Sequence, residues 1–432
     1  MVDRSNVTPA DEESWRYPHW RRNRWVFPFA NLLCGFGFSL AWPFVPLMVR
    51  GLGVRENLET WVGTMLLAFY LVSTAASPIW GGIADHYGRK PMVLRAMLGM
   101  GVTMMLVPFA PTPLWFAAAL MLVAVFNGFT PAGVSLLVAN TPPARIGSAV
   151  SLAQTGGQVG HALGPALGAA LAALFDRQHA LYWISAGLML SGGLLVLLFV
   201  REVKQVAAGP WRPRLVGSLR DLMAVPRIAP LFLLAFLFSI MWHGSVTNIS
   251  VFVLQLLEAG HPEADTGAAA SWIGAAATAI ALSTMVALPL WGRVIDRVGP
   301  ARVLVFAAAA SVVTHLPLLV LQTPLQLVLA RVAFGLTAAG MQTAIFQLLR
   351  MHAPPGMDAR AISYATAFQF LAMGTAPFLA GLIGPALGLR AYFAISTAFM
   401  LGGLVLWLRT ARRKAEVAEP ETDAARLMKR DG

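Results

Sequence analysis

The sequence predicts an all-α membrane protein whose twelve transmembrane helices form two pseudo-symmetric six-helix bundles, and three observations carry that expectation. The 432-residue chain is 57% hydrophobic and only 12% charged, with mean hydropathy +0.66, a profile that a water-soluble domain of this length does not sustain. Its apolar residues fall into a dozen runs near the ~20 residues that a helix needs to cross about 30 Å of hydrocarbon. A single spacing of 211 residues aligns one half of the chain with the other.

Ahead of the first run, residues 1–24 place Asp11, Glu12 and Glu13 before Arg16, Arg21, Arg22 and Arg24. That order of charge is unlike a cleavable leader, and a cytoplasmic tail is expected. Spans follow at 25–49, 61–80, 93–110, 114–138, 147–175 and 180–200, making a first bundle over 25–200. Residues 201–227 carry Arg201, Lys204, Arg212, Arg214, Arg220 and Arg227 against only Glu202 and Asp221. They read as a cytoplasmic linker with an interfacial helix over Leu215–Met223. Spans at 228–257, 268–291, 303–321, 325–350, 361–387 and 391–409 make a second bundle over 228–409, and a polar tail, 410–432, is expected to be mobile.

Of the 32 Lys and Arg, only Arg50, Arg55, Arg177 and Arg390 fall in loops on one side and only Arg331 lies well inside a span, away from its ends. This bias places both termini in the cytoplasm of a bacterial inner membrane. The net charge of +12 is thus a topology signal, with the lipid bilayer and not nucleic acid as partner. Cys34 is the single cysteine, which excludes an intrachain disulfide or a thiolate cluster; no metal or cofactor is expected.

The repeat is explicit in the letters. Pro78-Ile-Trp80-Gly81 recurs as Pro289-Leu-Trp291-Gly292, Asp85 maps to Asp296, Gly88 to Gly299, and Thr112-Pro113-Leu114 to Thr323-Pro324-Leu325. Two parallel six-helix repeats joined by a cytoplasmic linker resemble the major facilitator superfamily over nearly the whole chain. The resemblance implies a major facilitator fold, with substrate bound near mid-membrane between the halves.

The stretch from Gly81 to Lys90, GGIADHYGRK, read as the turn after the second span, resembles the superfamily's loop signature, although His86 and Pro91 stand where relatives carry basic residues. Its glycines permit close helix approach and a tight turn, and an Asp near a helix amino terminus gains from the macrodipole. What the resemblance implies is a cytoplasmic gate of Gly81, Asp85, Gly88, Arg89 and Lys90, with Asp296 and Arg297 as its weaker counterpart, that holds the outward-facing state.

Gly156, Gly160, Gly164 and Gly168 recur every four residues in the fifth span, with Pro165 beside Gly164. They resemble the antiporter motif of drug exporters, a helix side without bulk plus a bend. Pro43-Phe-Val-Pro46 resembles the Pro-x-x-Pro ending of the first span in twelve-span drug:proton antiporters. With the stretch Ala76 to Met105, it makes the chain look most like the MdtG-type multidrug efflux branch, and tetracycline exporters come next. The implied activity is proton-coupled export of small lipophilic compounds by a monomer.

The chain also departs from that pattern. Arg331-Val-Ala-Phe-Gly335 keeps the buried Arg of drug exporters in the second half, but its first-half equivalents are Leu120 and Ala124. No Asp or Glu lies well inside a span, and intramembrane ionisable groups are expensive and commonly functional, so the candidates are His161, His243, His315 and Arg331. His161 shares a stripe with Gln154, Gln158 and Pro165, and His243 one with Ser239, Trp242 and Ser250. His161 and His243 are the proton-coupling candidates; His315 reads as structural. Arg331, Gly335, Gln342 and Phe346 form a further stripe, and a buried Arg needs a partner. The alternative function is therefore movement of a specific metabolite, a sugar, organic anion or lysolipid, anchored by Arg331. Asn31, Phe38, Trp42, Asn127, Trp272 and Gln369 complete the expected cavity, whose rings and amides suit flat lipophilic compounds. An enzyme is disfavoured: there is no His-Glu-x-x-His pair and no intramembrane Asp pair.

Overall fold

The computed structural model describes residues 17–142, 145–175, 179–203, 215–260, 266–354 and 357–428, and every regular element among them is helical. Eleven helices are long and apolar enough to cross a membrane. They are Trp20–Gly51, Leu58–Ser77, Arg89–Phe109, Pro113–Ala139, His179–Phe199, Ile228–Thr247, Gly267–Val298, Pro300–Leu319, Pro324–His352, Tyr364–Leu387 and Leu389–Thr410. Ile146–Phe175, 30 residues without Asp, Glu, Lys or Arg, completes the twelve and is the fifth in chain order. With an even number of crossings per half, Trp20, the stretch after Phe199 and the end of the twelfth span lie at one end of the bundle, here the linker end. The other is the far end.

Helix boundaries follow the breakers. Leu58–Tyr87 runs as one helix through Gly81–His86, so the expected ten-residue turn shrinks to Gly88, at φ 98°, before helix Arg89–Met104. Gly299, at φ 88°, turns the chain between Thr266–Val298 and Pro300–His315. Nothing earlier in either segment forbids helix, and the left-handed region favours glycine. The last helix extends to Met428, because the tail's Ala, Arg, Lys and Glu are strong helix formers. Residues 1–16 and 204–214, part of the expected tail and linker, fall outside the described residues, while Leu215–Met223 is helical with Leu222 buried.

Three interruptions were not expected from the sequence. Trp42–Phe44 is a short 3-10 segment in the first span. Asn127 and Gly128, the latter at φ 116°, split the fourth span into Pro113–Phe126 and Phe129–Ala139. Asn248 separates Ile228–Thr247 from Ile249–Gly260 in the seventh.

Within the first half the first span packs on the fifth and sixth; within the second half the seventh packs on the eleventh and twelfth. The halves meet where the second span lies on the eleventh and the fifth on the eighth. One buried apolar cluster runs from the first half into Ile249, Ile273, Ala380 and Phe393 of the second half, towards the far end. Another, with Ile228, Ile295, Leu348 and Trp407, stays within the second half towards the linker end. Apolar burial thus joins the halves at one end only.

Candidate functional site

The site begins with how close two helices come. Along the fifth span, a Cβ at Gly156 would meet the Pro28 carbonyl, at Gly160 the Leu32 carbonyl, at Gly164 the Ser39 hydroxyl, and at Gly168 the Leu40 carbonyl. All four partners belong to the first span, so the four-residue glycine spacing is a close seam, backbone against backbone at Gly156, Gly160 and Gly168 and against the Ser39 side chain at Gly164. Asn31, expected to line the cavity, lies in this seam: it is buried and donates to the Ala153 carbonyl at 2.8 Å. The Ser39 hydroxyl donates across the same seam towards Gly160 O at 3.1 Å.

A second set of contacts closes the far end between the halves. Thr60 Oγ1 donates to Gly381 O at 2.6 Å, Gln255 Nε2 to Glu59 Oε1 at 2.7 Å, and Ser250 Oγ to Pro43 O. A Cβ at Gly63 would strike the Pro377 carbonyl, and one at Gly274 the Pro165 carbonyl and Ala169. Arg50 and Glu258 pair at 2.7 Å but stay 42% and 51% exposed, so this pair adds only about 0–1 kcal/mol. Trp42, Pro43 and Val62 of the first half and Val246, Thr247 and Ala277 of the second enclose a cavity of about 30 Å³, room for little more than one water.

The hydrogen bonds of Thr60, Ser250 and Gln255 and the Arg50–Glu258 pair, which join the halves, lie at this far end. Towards the linker end the same side of the fifth span that seats Pro165 and Ala169 on Gly274 presents Ser151, Gln154 and Gln158, all exposed. On this face of the fifth span, exposure therefore rises towards the linker end.

Several expected residues converge on an aromatic cluster in the first half. Phe38 stacks on Trp42 with centroids 4.9 Å apart, Trp42 meets Phe69 edge-on at 4.9 Å and Tyr70 at 6.2 Å, and His161 lies 6.0 Å from Phe38. Phe129 also stacks with His161, at 6.5 Å. His161 Nδ1 sits 2.7 Å from the Gly157 carbonyl, which makes Nδ1 the protonated nitrogen and leaves Nε2 to accept. The sequence reading missed Phe69, Tyr70 and Phe129, which single-span stripes do not bring together. Asn127 donates to Ser73 Oγ at 3.2 Å, at the break in the fourth span.

In the second half Trp242 packs between Phe238 and Phe334, at 6.0 and 5.5 Å, beside half-buried His243. Gln342 is exposed, and Phe346 and Gln369 are half-buried. Arg331 turns elsewhere: it is buried inside the second half, where Nη1 donates to Ser245 Oγ at 2.9 Å and Nη2 to the Ser245 carbonyl. His315 lies in the same interior, bonded through Nδ1 to Thr397 at 2.7 Å and packed on Phe334 and Phe393. The helix break at Asn248 frees the Ser245 carbonyl, so the guanidinium caps a helix end, where a cation is favoured.

At the linker end the expected gate residues divide. The surroundings of Gly81 and the side chain of Asp85 lie outside what the structure describes. The backbone N–H groups of Arg89 and Lys90 donate to Glu202, at 2.7 and 2.8 Å, so a carboxylate from beyond the sixth span occupies the amino terminus of the third. Glu202 had been read only as part of a charged linker. Asp296 and Arg297 are exposed at the end of the eighth span.

Comparison with known proteins agrees with this architecture. The sequence profile described as "Major Facilitator Superfamily" matches residues 29–262 and 259–431. The chain is 30% identical over 417 residues to a multidrug resistance protein MdtG of Serratia proteamaculans, covering 93% of this chain and 97% of that one. It is 31% identical over 410 residues to a protein of the same name from Salmonella paratyphi C, covering 92% and 97%. Among solved structures, a bacterial homolog of the human lysosomal transporter Spinster, in an inward-facing and occupied conformation, superposes with a TM-score of 0.72 at 14% identity, covering 91% of this chain and 97% of that one.

Proposed function

The chain belongs to the major facilitator superfamily and is a multi-pass membrane transporter, and from that premise we propose that it exports small lipophilic compounds across a bacterial inner membrane by alternating access, driven by protons. The bundles at 25–200 and 228–409 are the rocking units, and the linker end faces the cytoplasm. The names of the relatives support the substrate class, and the Lys and Arg bias supports the orientation.

One observation carries the reading: bonds between the halves gather at the far end, while Gln154 and Gln158 stand exposed towards the linker end. On the proposed orientation this is the state in which an exporter loads from the cytoplasm. In the ring cluster, half-buried Phe38, Trp42 and His161 offer π faces backed by buried Phe69 and Tyr70, and no carboxylate lies well inside a span. Recognition then rests on stacking and a few amides. His161 and His243 are the proton carriers in this scheme, and the gate comprises Gly81, Asp85, Gly88, Arg89 and Lys90 with Asp296 and Arg297.

Reconstitution into proteoliposomes tests it. A pH jump across the membrane is expected to drive accumulation of a lipophilic fluorescent dye; accumulation that ignores the pH jump would replace proton coupling by uniport or another ion.

A further inference from the structure

At the linker end of the first half, cations from three distant stretches of chain are pinned together. Asn23 Nδ2 donates to Arg201 O at 2.7 Å and Arg201 N–H donates back to Asn23 Oδ1 at 3.1 Å. One residue on, Glu202 accepts the backbone N–H groups of Arg89 and Lys90, and Val203 N–H donates to Asn140 Oδ1 at 2.7 Å. Arg22 beside Asn23, Arg201 beside Glu202, and Lys90 are thereby held as neighbours. Arg22 and Arg201 are exposed. Both flank His19, whose pKa is pushed below its ordinary value by desolvation and then by Arg22 and Arg201.

Glu202 offsets only part of this positive charge, and Lys90 Nζ also donates to the Leu197 carbonyl at 2.9 Å. Both oxygens of Glu202 are engaged by backbone N–H groups, and the single ion pair among the described residues, Arg50 with Glu258, is at the other end of the bundle. Arg22, Trp25 and Phe29 follow at intervals of three and four, on one face of the first span. Trp25 and Phe29 are 60% and 61% exposed on that face. Arg21 and Arg24 lie over the rings of Trp20 and Trp25, at 5.6 and 5.7 Å. Exposed tryptophans at a helix end mark the membrane–water interface, where phosphate groups are the available anions.

We propose that Arg22, Arg201 and Lys90 bind the phosphate of an anionic lipid headgroup from the linker-side leaflet. A phosphodiester offers two charged oxygens to the planar guanidinium fork, and its acyl chains lie along Trp25 and Phe29. The amino terminus of the third span is not the receptor, since Glu202 already fills it. A lipid held there ties together the ends of the first, third and sixth spans beside the Gly88 turn.

Thermal unfolding of the full chain in phosphatidylcholine nanodiscs, in nanodiscs containing phosphatidylglycerol, and in phosphatidylcholine with inorganic phosphate tests this. Phosphatidylglycerol is expected to raise the midpoint by about 3 °C, and Arg22→Gln with Arg201→Gln to lose most of that gain. The single Arg22→Gln, at an exposed position, serves should the double variant unfold in phosphatidylcholine alone. An equal gain in variant and unsubstituted protein, or no gain in either, overturns the site. A gain reproduced by inorganic phosphate overturns the lipid in favour of a soluble anion. No arm measures transport, so failure here leaves the export reading untouched.

Discussion

Trp80 donates its indole N–H to the Val125 carbonyl at 2.8 Å, and 211 residues on Trp291 makes the equivalent bond to Leu336 at 2.7 Å. Ser73 to Ala124 and Thr284 to Gly335 repeat the correspondence, at 3.2 and 3.4 Å. The repeated Pro-x-Trp-Gly letters therefore encode the same tie between paired spans in each half. What differs is the cation. Arg95 lies 4.2 Å over the Trp80 ring and reaches Val125 O and Phe126 O, at 3.4 and 3.3 Å, carbonyls freed where the fourth span breaks. Its counterpart Phe306 faces Trp291 at 6.0 Å beside an unbroken tenth span.

Arg95→Phe, which copies the second half into the first, is expected to cost about 1–3 kcal/mol, because the Phe126 carbonyl loses the guanidinium and the Val125 carbonyl keeps only the Trp80 indole. Thermal unfolding of the purified variant checks this. A midpoint equal to that of the unsubstituted protein would mean that the break needs no cation.

Gly160→Leu is expected to force the first and fifth spans apart. A side chain there meets the Leu32 carbonyl and the Phe36 N–H, which cannot yield as a flexible side chain would. Overpacking at this seam should cost about 1–3 kcal/mol or more. Gly187→Ala is the control, since a Cβ at Gly187 meets nothing within 4 Å. Similar unfolding midpoints for the two variants would refute the seam.

These cases show what a sequence can carry. The twelve spans, the 211-residue offset and the glycine ladder were legible because hydrophobicity and helical period are local properties. The Asn127–Gly128 and Asn248 breaks were not, since one polar residue in a long apolar run is tolerated in many helices. Stripe analysis gathered Arg331 with Gln342 and Phe346 on one side of the tenth span, yet a long guanidinium reaches its own partner, and Ser245 on another span decided where it turned. Phe69, Tyr70 and Glu202 were missed for a related reason: each acquires meaning only from a neighbour on a distant span.

Arg331→Ala should therefore weaken the protein whatever the substrate. Losing the donors to the Ser245 hydroxyl and carbonyl is expected to cost about 3 kcal/mol, and Arg331→Lys, which keeps charge but not the fork, somewhat less. Efflux of cationic, neutral and anionic compounds, compared in membranes with matched protein levels, separates this from substrate anchoring. A loss confined to anions would restore Arg331 as an anchor.

Asp85→Asn is expected to impair transport without preventing insertion, because the gate assignment asks for a charge near the Gly88 turn and the fold does not. Normal efflux from vesicles containing the variant removes Asp85 from the gate.

His161 allows a sharper test, because one of its nitrogens is already committed. Nδ1 faces the Gly157 carbonyl at 2.7 Å, and the ring packs beside Phe38 and Phe129. The amide nitrogen of His161→Asn superposes on Nδ1 and keeps the bond to Gly157, but it leaves nothing to titrate. If Nε2 carries the proton, this variant should remain folded, bind substrate as shown by a thermal shift, and lose accumulation driven by a pH jump. His161→Gln places its amide near Nε2 and gives up the Gly157 bond, so it should lose coupling and also some stability. Undiminished pH-driven accumulation in the His161→Asn variant would remove His161 from the coupling scheme and leave His243 as the group to test next.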